Sequence, residues 1–132
     1  MAVLLTLVFL AGRFTPAAAD NNSETRLRTN LAGAAIGGKT PGGNAEFRSE
    51  PAKGRTRLKV EVQDVNLPAG TMLSVSISHG GVVTAAGIIT LNAFGFGELE
   101  LDSQDGDTVP AVVAGDLVIV MNGGVAILSG TF

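Results

Sequence analysis

A chain of 132 residues with 45% hydrophobic and 16% charged residues is sized for one folded domain and is too apolar to be disordered. It has no cysteine, which excludes disulfides, thiolate metal sites and a cysteine nucleophile. A net charge of −3, a pI of 5.0 and few stacking aromatics argue against nucleic-acid binding. The apolar residues are mainly Val, Leu, Ile and Ala, and 18 glycines supply turns, so short strands are predicted in place of helices.

Residues 2–11, AVLLTLVFLA, form an apolar run followed by Pro16 and Ala17-Ala18-Ala19. A run of about ten apolar residues before a small-residue site reads as a cleavable signal peptide. A bilayer span would need about 20. The expected organisation is a signal peptide over 1–19, a flexible polar segment over 20–24, and a single domain over 25–132. No Lys or Arg precedes the apolar run, so a buried N-terminal strand or helix is the alternative. The leader implies a secreted or periplasmic protein of a bacterial envelope, with no membrane span after its removal.

Alternation dominates the rest. In Arg57 through Val65, Leu58, Val60 and Val62 share one face and the charges the other. Leu73, Val75 and Ile77 repeat the pattern, as does Glu98-Leu99-Glu100-Leu101-Asp102. Leu117-Val118-Ile119-Val120-Met121 is continuous enough to be buried on both faces. Turn signals fall at Lys39-Thr40-Pro41-Gly42-Gly43, Pro68-Ala69-Gly70, His79-Gly80-Gly81, Gln104-Asp105-Gly106-Asp107 and Asn122-Gly123-Gly124. Asn122-Gly123 is the strongest hairpin signal. About eight closely spaced strands predict an all-β fold, an antiparallel β-sandwich or a small barrel.

Residues 58–87 align with 99–130. Gln63-Asp64 falls on Gln104-Asp105, Pro68 on Pro110, Gly80-Gly81 on Gly123-Gly124, and Gly87 on Gly130. Each unit reads as strand, acidic turn, strand, Gly-Gly hairpin, strand. An internal duplication is therefore expected. Charge divides along the chain: from Asp20 to Val65 eight basic residues face six acidic ones, and from Asn66 onward there are six acidic residues and no Lys or Arg. Basic strands pairing beside acidic ones would neutralise this inside the fold. Head-to-tail self-association is the functional alternative.

Few residues could carry chemistry. Asp102, Asp105 and Asp107 form an acidic turn whose hard oxygens suit Ca²⁺, although the spacing is not that of an EF-hand. A solvated turn is the expected state. Otherwise no cofactor is expected. His79, the one histidine, has no partner motif for catalysis or zinc and is expected on a surface turn. Phe94 and Phe96, in Asn92-Ala93-Phe94-Gly95-Phe96-Gly97, are candidates for a ligand or assembly contact with His79. Their shared parity favours one strand face packed in the core.

The stretch 31–87 resembles the CHRD domain, named from chordin. Leu31-Ala32-Gly33 stands for its opening strand, Gly43-Asn44-Ala45-Glu46-Phe47 for its Gly-x-Ala-x-Phe strand, and Ile77-Ser78-His79-Gly80-Gly81 for its His-Gly strand. The family's Pro-Pro is reduced to Pro41, and its second His is Ser or Ile here. The chain also resembles secreted bacterial proteins that end in a Leu-Ser-Gly-Thr-Phe strand. The CHRD resemblance implies a secreted β-sandwich of unknown or binding function and no catalytic residues; the bacterial proteins bring no activity with them. The expected function is non-enzymatic binding or self-assembly at the cell surface or in the periplasm, with itself or another surface protein as partner. The alternative is a Ca²⁺- or carbohydrate-binding module using the acidic turn 102–107 and the NAFGFG segment. The lack of Trp and Tyr counts against carbohydrate.

Overall fold

A computed structural model describes residues 23–132; the expected signal peptide lies outside them. Eight strands follow in order: β1 (Thr25–Ala32), β2 (Gly42–Glu50), β3 (Arg55–Gln63), β4 (Met72–His79), β5 (Val82–Thr90), β6 (Gly97–Asp102), β7 (Leu117–Asn122) and β8 (Val125–Thr131). All pairings are antiparallel, in the order β5-β4-β7-β8-β1-β2-β3-β6. β3 lies beside β6 and β7 beside β4, the long return connections of Greek keys. The all-β expectation holds.

The two ends of this sheet, β5 and β6, come back into contact. No ladder joins them; side chains close the seam. Leu99 of β6 lies where a Cβ on Gly87 of β5 would sit, and Ile89 of β5 lies where a Cβ on Gly97 of β6 would sit. The glycines leave the room that lets each neighbour's side chain cross. The result is one nearly closed sheet, a small barrel filled by inward side chains.

Period-two patterning places the core as the sequence implies. Leu58, Val60, Val62, Leu73 and Val75 are fully buried. Val118 and Val120 join them from β7, but Leu117 is 39% exposed, so that strand is buried on one face only. Loop residues stop the two ends: Val112 at one, Val65 and Leu91 at the other.

Two hairpins share a turn. Gly80-Gly81 and Gly123-Gly124 both have positive φ at each residue, 55° and 85°, then 57° and 88°, as a two-residue type I′ turn requires. The second turn sits one residue beyond the expected Asn122-Gly123, because Asn122 is still paired, with Val125. Gly42 and Gly43 lie inside β2, not in a turn; the bend before it is made by Gly37-Gly38 under the Ile36–Lys39 bridge. In the two aligned units the acidic turns differ. Asp64 takes a left-handed conformation, whereas 103–105 form a 3-10 turn.

Candidate functional site

Strand directions sort the candidate residues to opposite ends. The β4 C-terminus, the β6 C-terminus and the β7 N-terminus share one end. His79, the acidic turn and the 103–116 connection therefore lie there. Phe94 and Phe96 lie at the other, in the 91–96 loop. β6 separates the acidic turn from NAFGFG by about 20 Å, six residues at about 3.3 Å each. No single site combines them.

Phe94 is 83% exposed and Phe96 39%. The expected strand face does not form, because the Asn92 side chain accepts hydrogen bonds from Phe94 N at 2.8 Å and Phe96 N at 3.0 Å and folds the segment into a turn. Gly95, at φ 74°, completes it with its backbone against Val65.

The acidic turn is held by a cation of the protein. Asp102 is nearly buried, and Arg55 donates to it from Nε at 3.1 Å and also from Nη2. Asp102 Oδ1 accepts from Gln104 N at 3.0 Å, and Asp107 Oδ2 accepts from Asp102 N at 3.0 Å. Arg55, then the Gln104 N–H, hold the Asp102 carboxyl below the usual aspartate range. Asp105 and Asp107 are exposed. A Ca²⁺ ion at this turn would have to displace Arg55 from Asp102. Among the described residues, no group of three or more His, Asp or Glu side chains converges as a metal site would require.

His79 is more than a free surface turn residue. Its Nδ1 lies 2.5 Å from Oδ1 of Asp116, 37 residues away and buried. Asp116 Oδ2 also accepts from Val113 N at 2.9 Å. That bond, then His79, pulls the Asp116 carboxyl below its ordinary range. The carboxylate thus fastens the 109–116 segment to the β4–β5 hairpin. Under the segment, a cavity of about 540 Å³ runs along Leu27, Phe47, Val109, Val112 and Val113. On its other side a cavity of about 330 Å³ is lined by His79, Val82, Thr84, Ala111 and Asp116. The pair has the carboxylate and imidazole of a catalytic triad, but no hydroxyl is hydrogen-bonded to His79 among the described residues.

The outer surface gives the sharpest division. β1, β2, β3 and β6 are contiguous and carry twelve charged residues. β4, β5, β7 and β8 are contiguous and carry none. On the charged side, rows run across the strands, as in Arg28, Glu46, Lys59 and Glu100. Arg28 Nε donates to Glu46 Oε2 at 3.1 Å, and Glu24, just before β1, accepts from Arg48 Nε at 2.6 Å. Most of these pairs lie within β1–β3; Arg55 and Asp102 join the basic part of the chain to the acidic part, while Glu98 faces Glu61 across the β3–β6 ladder.

On the uncharged side, the outward rows are Val83, Ser78, Leu117, Thr131, then Ala85, Ser76, Ile119, Ser129, then Ile88, Ser74, Met121, Ala126. This half was not foreseen, because chain order divides the charges differently from sheet order. The signal was present: no Lys, Arg, Asp or Glu occurs between Asp64 and Glu98. No helix of the described residues is long and apolar enough to cross a membrane. A comparison of the chain with known protein families, curated proteins and solved structures finds no match.

Proposed function

We propose that this chain is an exported, non-enzymatic β-domain that works by binding through its uncharged half, at the cell surface or in the periplasm of a bacterial envelope. The observation that carries the reading is the contiguity of the four uncharged strands. Among the described residues, six of the nine large exposed hydrophobics, Met72, Val82, Val83, Ile88, Leu117 and Val125, lie on those four strands. Such a neutral patch, rimmed by charge, marks an interaction surface. The opposite half keeps the domain soluble and has most of its charges paired within it, Glu98 and Glu100 excepted, which disfavours head-to-tail assembly through them.

The signal-like run 2–11 and the Ala17-Ala18-Ala19 site support export. The resemblance to CHRD domains supports a binding role. The matching strand order and Gly-Gly hairpins of β3-β4-β5 and β6-β7-β8 support an origin by duplication.

The test is the size of the protein extracted from its native envelope under mild conditions. The wild type is expected to run larger than the purified chain. Ser78→Lys, Ala126→Lys and Ser129→Lys together place three charges on the uncharged half and should shrink it to the size of the purified chain. Asn44→Lys, on the charged half, should change nothing. Complexes unaffected by the triple variant would refute the reading.

A further inference from the structure

β5 is paired with β4 along one edge and has no ladder on the other. Near Gly87, the Leu99 side chain of β6 covers that second edge. Toward the N-terminus of β5 the cover ends, because β6 stops at Asp102 and turns away. Residues 82–85 are all exposed, although successive strand residues point to opposite faces. Exposure on both faces means that this half-strand stands clear of the barrel wall, with Val82 and Thr84 facing Ala111 and Val113 only across the open cavity they line together. Val82 and Val83 are 68% and 58% exposed.

An overhanging strand presents a row of unpaired backbone N–H and C=O groups, a template for a further strand. Proteins usually blunt such edges with charge or proline. The other sheet end does so: β6 carries Glu98 and Glu100 toward solvent. The 82–85 edge has no such guard. It is Val-Val-Thr-Ala, three β-prone residues and an alanine, inside a stretch from Ala69 to Gly97 with no Lys, Arg, Asp, Glu or Pro.

We propose that residues 82–85 of β5 pair antiparallel with the same residues of a second copy, forming a two-fold symmetric dimer with one sheet running through both barrels. The inference rests on the binding reading above and names one occupant of that half. A second copy fits by charge, since identical neutral segments meet without repulsion. An edge like that of β6 would instead set glutamates beside Val82 and Val83. Two-fold pairing uses each β5 edge once, and the guarded β6 edge cannot extend it, so assembly closes at two.

The test is sedimentation of the exported chain up to about 1 mM. A dimer is expected whose dissociation constant changes little between about 50 and 500 mM salt, because none of the pairing residues 82–85 is charged. Val83→Lys with Thr84→Lys puts one charge on each exposed face, so it should leave the melting temperature in place and weaken dimerisation about tenfold or more. The chain lacks cysteine, so single cysteines at 83 and 84 report on the two-fold, and at least one should give a disulfide dimer on oxidation. A wild type monomeric at about 1 mM, or a dimer untouched by the lysines, would overturn the proposal. A chain monomeric when purified, yet held in envelope complexes sensitive to Ser78→Lys, Ala126→Lys and Ser129→Lys, overturns this dimer and leaves the binding reading standing.

Discussion

Replacing Gly97 with alanine tests how the barrel closes. The new Cβ would lie 2.5 Å from Ile89 Cγ2 and 2.9 Å from the Thr90 carbonyl oxygen. Carbon pairs are comfortable at about 3.5–4.0 Å, so the overlap with Ile89 is about 1 Å. Ile89 is fully buried, and the Thr90 oxygen belongs to the backbone of β5. Neither can swing aside, so strands β5 and β6 must part. Overpacking of this kind costs about 1–3 kcal/mol. Reduced chain freedom in the unfolded state returns about 0.4–1 kcal/mol. The net expectation is a loss of about 1–2 kcal/mol, or about 5–8 °C in melting temperature for a domain of this size. Gly87→Ala is the internal comparison. Its Cβ would meet the Leu99 methyls at 2.8 and 3.0 Å, the movable end of a half-buried side chain. Its net cost should stay below about 1 kcal/mol. Urea unfolding of both variants gives the two values. A Gly97→Ala protein as stable as wild type, or a Gly87→Ala protein less stable than Gly97→Ala, would refute closure by side chains across this seam.

Acid should unfold the domain partly through two aspartates. The folded carboxyls of Asp102 and Asp116 lie below the unfolded aspartate range, so the unfolded chain takes up protons first as pH falls. Their stabilisation is full above about pH 4–5 and is lost as pH falls through the folded values. Urea midpoints between pH 7 and 2 should show this, with a shallower fall in Asp102→Asn, whose neutral amide takes up no proton. An equal fall in both proteins would contradict the role of Arg55. Asp116→Ala removes the acceptor for Val113 N and the partner of His79. Amide exchange over 111–116 should then speed up about tenfold or more while the strands stay protected. Unchanged exchange would show that the segment is fastened by something else.

Burial was legible residue by residue in the strands because a period of two assigns each side chain to a face. Leu58, Val60 and Val62 followed it to full burial. Barrel closure was not legible, because it depends on Leu99 crossing to Gly87, a contact no local pattern encodes. The Phe-x-Phe spacing of 94–96 misled for a local reason: Asn92 offers its side-chain oxygen to both amides, and a turn wins over a strand. Asn92 together with Gly95 was the available signal. Arg55–Asp102 and His79–Asp116 span 47 and 37 residues, so the sequence shows the charges but not their partners. The uncharged half was hidden for the same reason. Sheet order interleaves the chain, so the charge-poor β4-β5 and β7-β8 hairpins meet only once β4 pairs with β7.

Thiol labelling in intact cells tests the central claim most directly, since a chain without cysteine gives no background. Single cysteines replace Ser129, exposed on the uncharged half, and Asn44, exposed on the charged half. A membrane-impermeant maleimide should modify Asn44→Cys at the same rate in cells and in purified protein. Ser129→Cys should react about tenfold or more slowly in cells than when purified and diluted. Equal rates for Ser129→Cys in the two settings would contradict the assignment of the uncharged half as the binding surface.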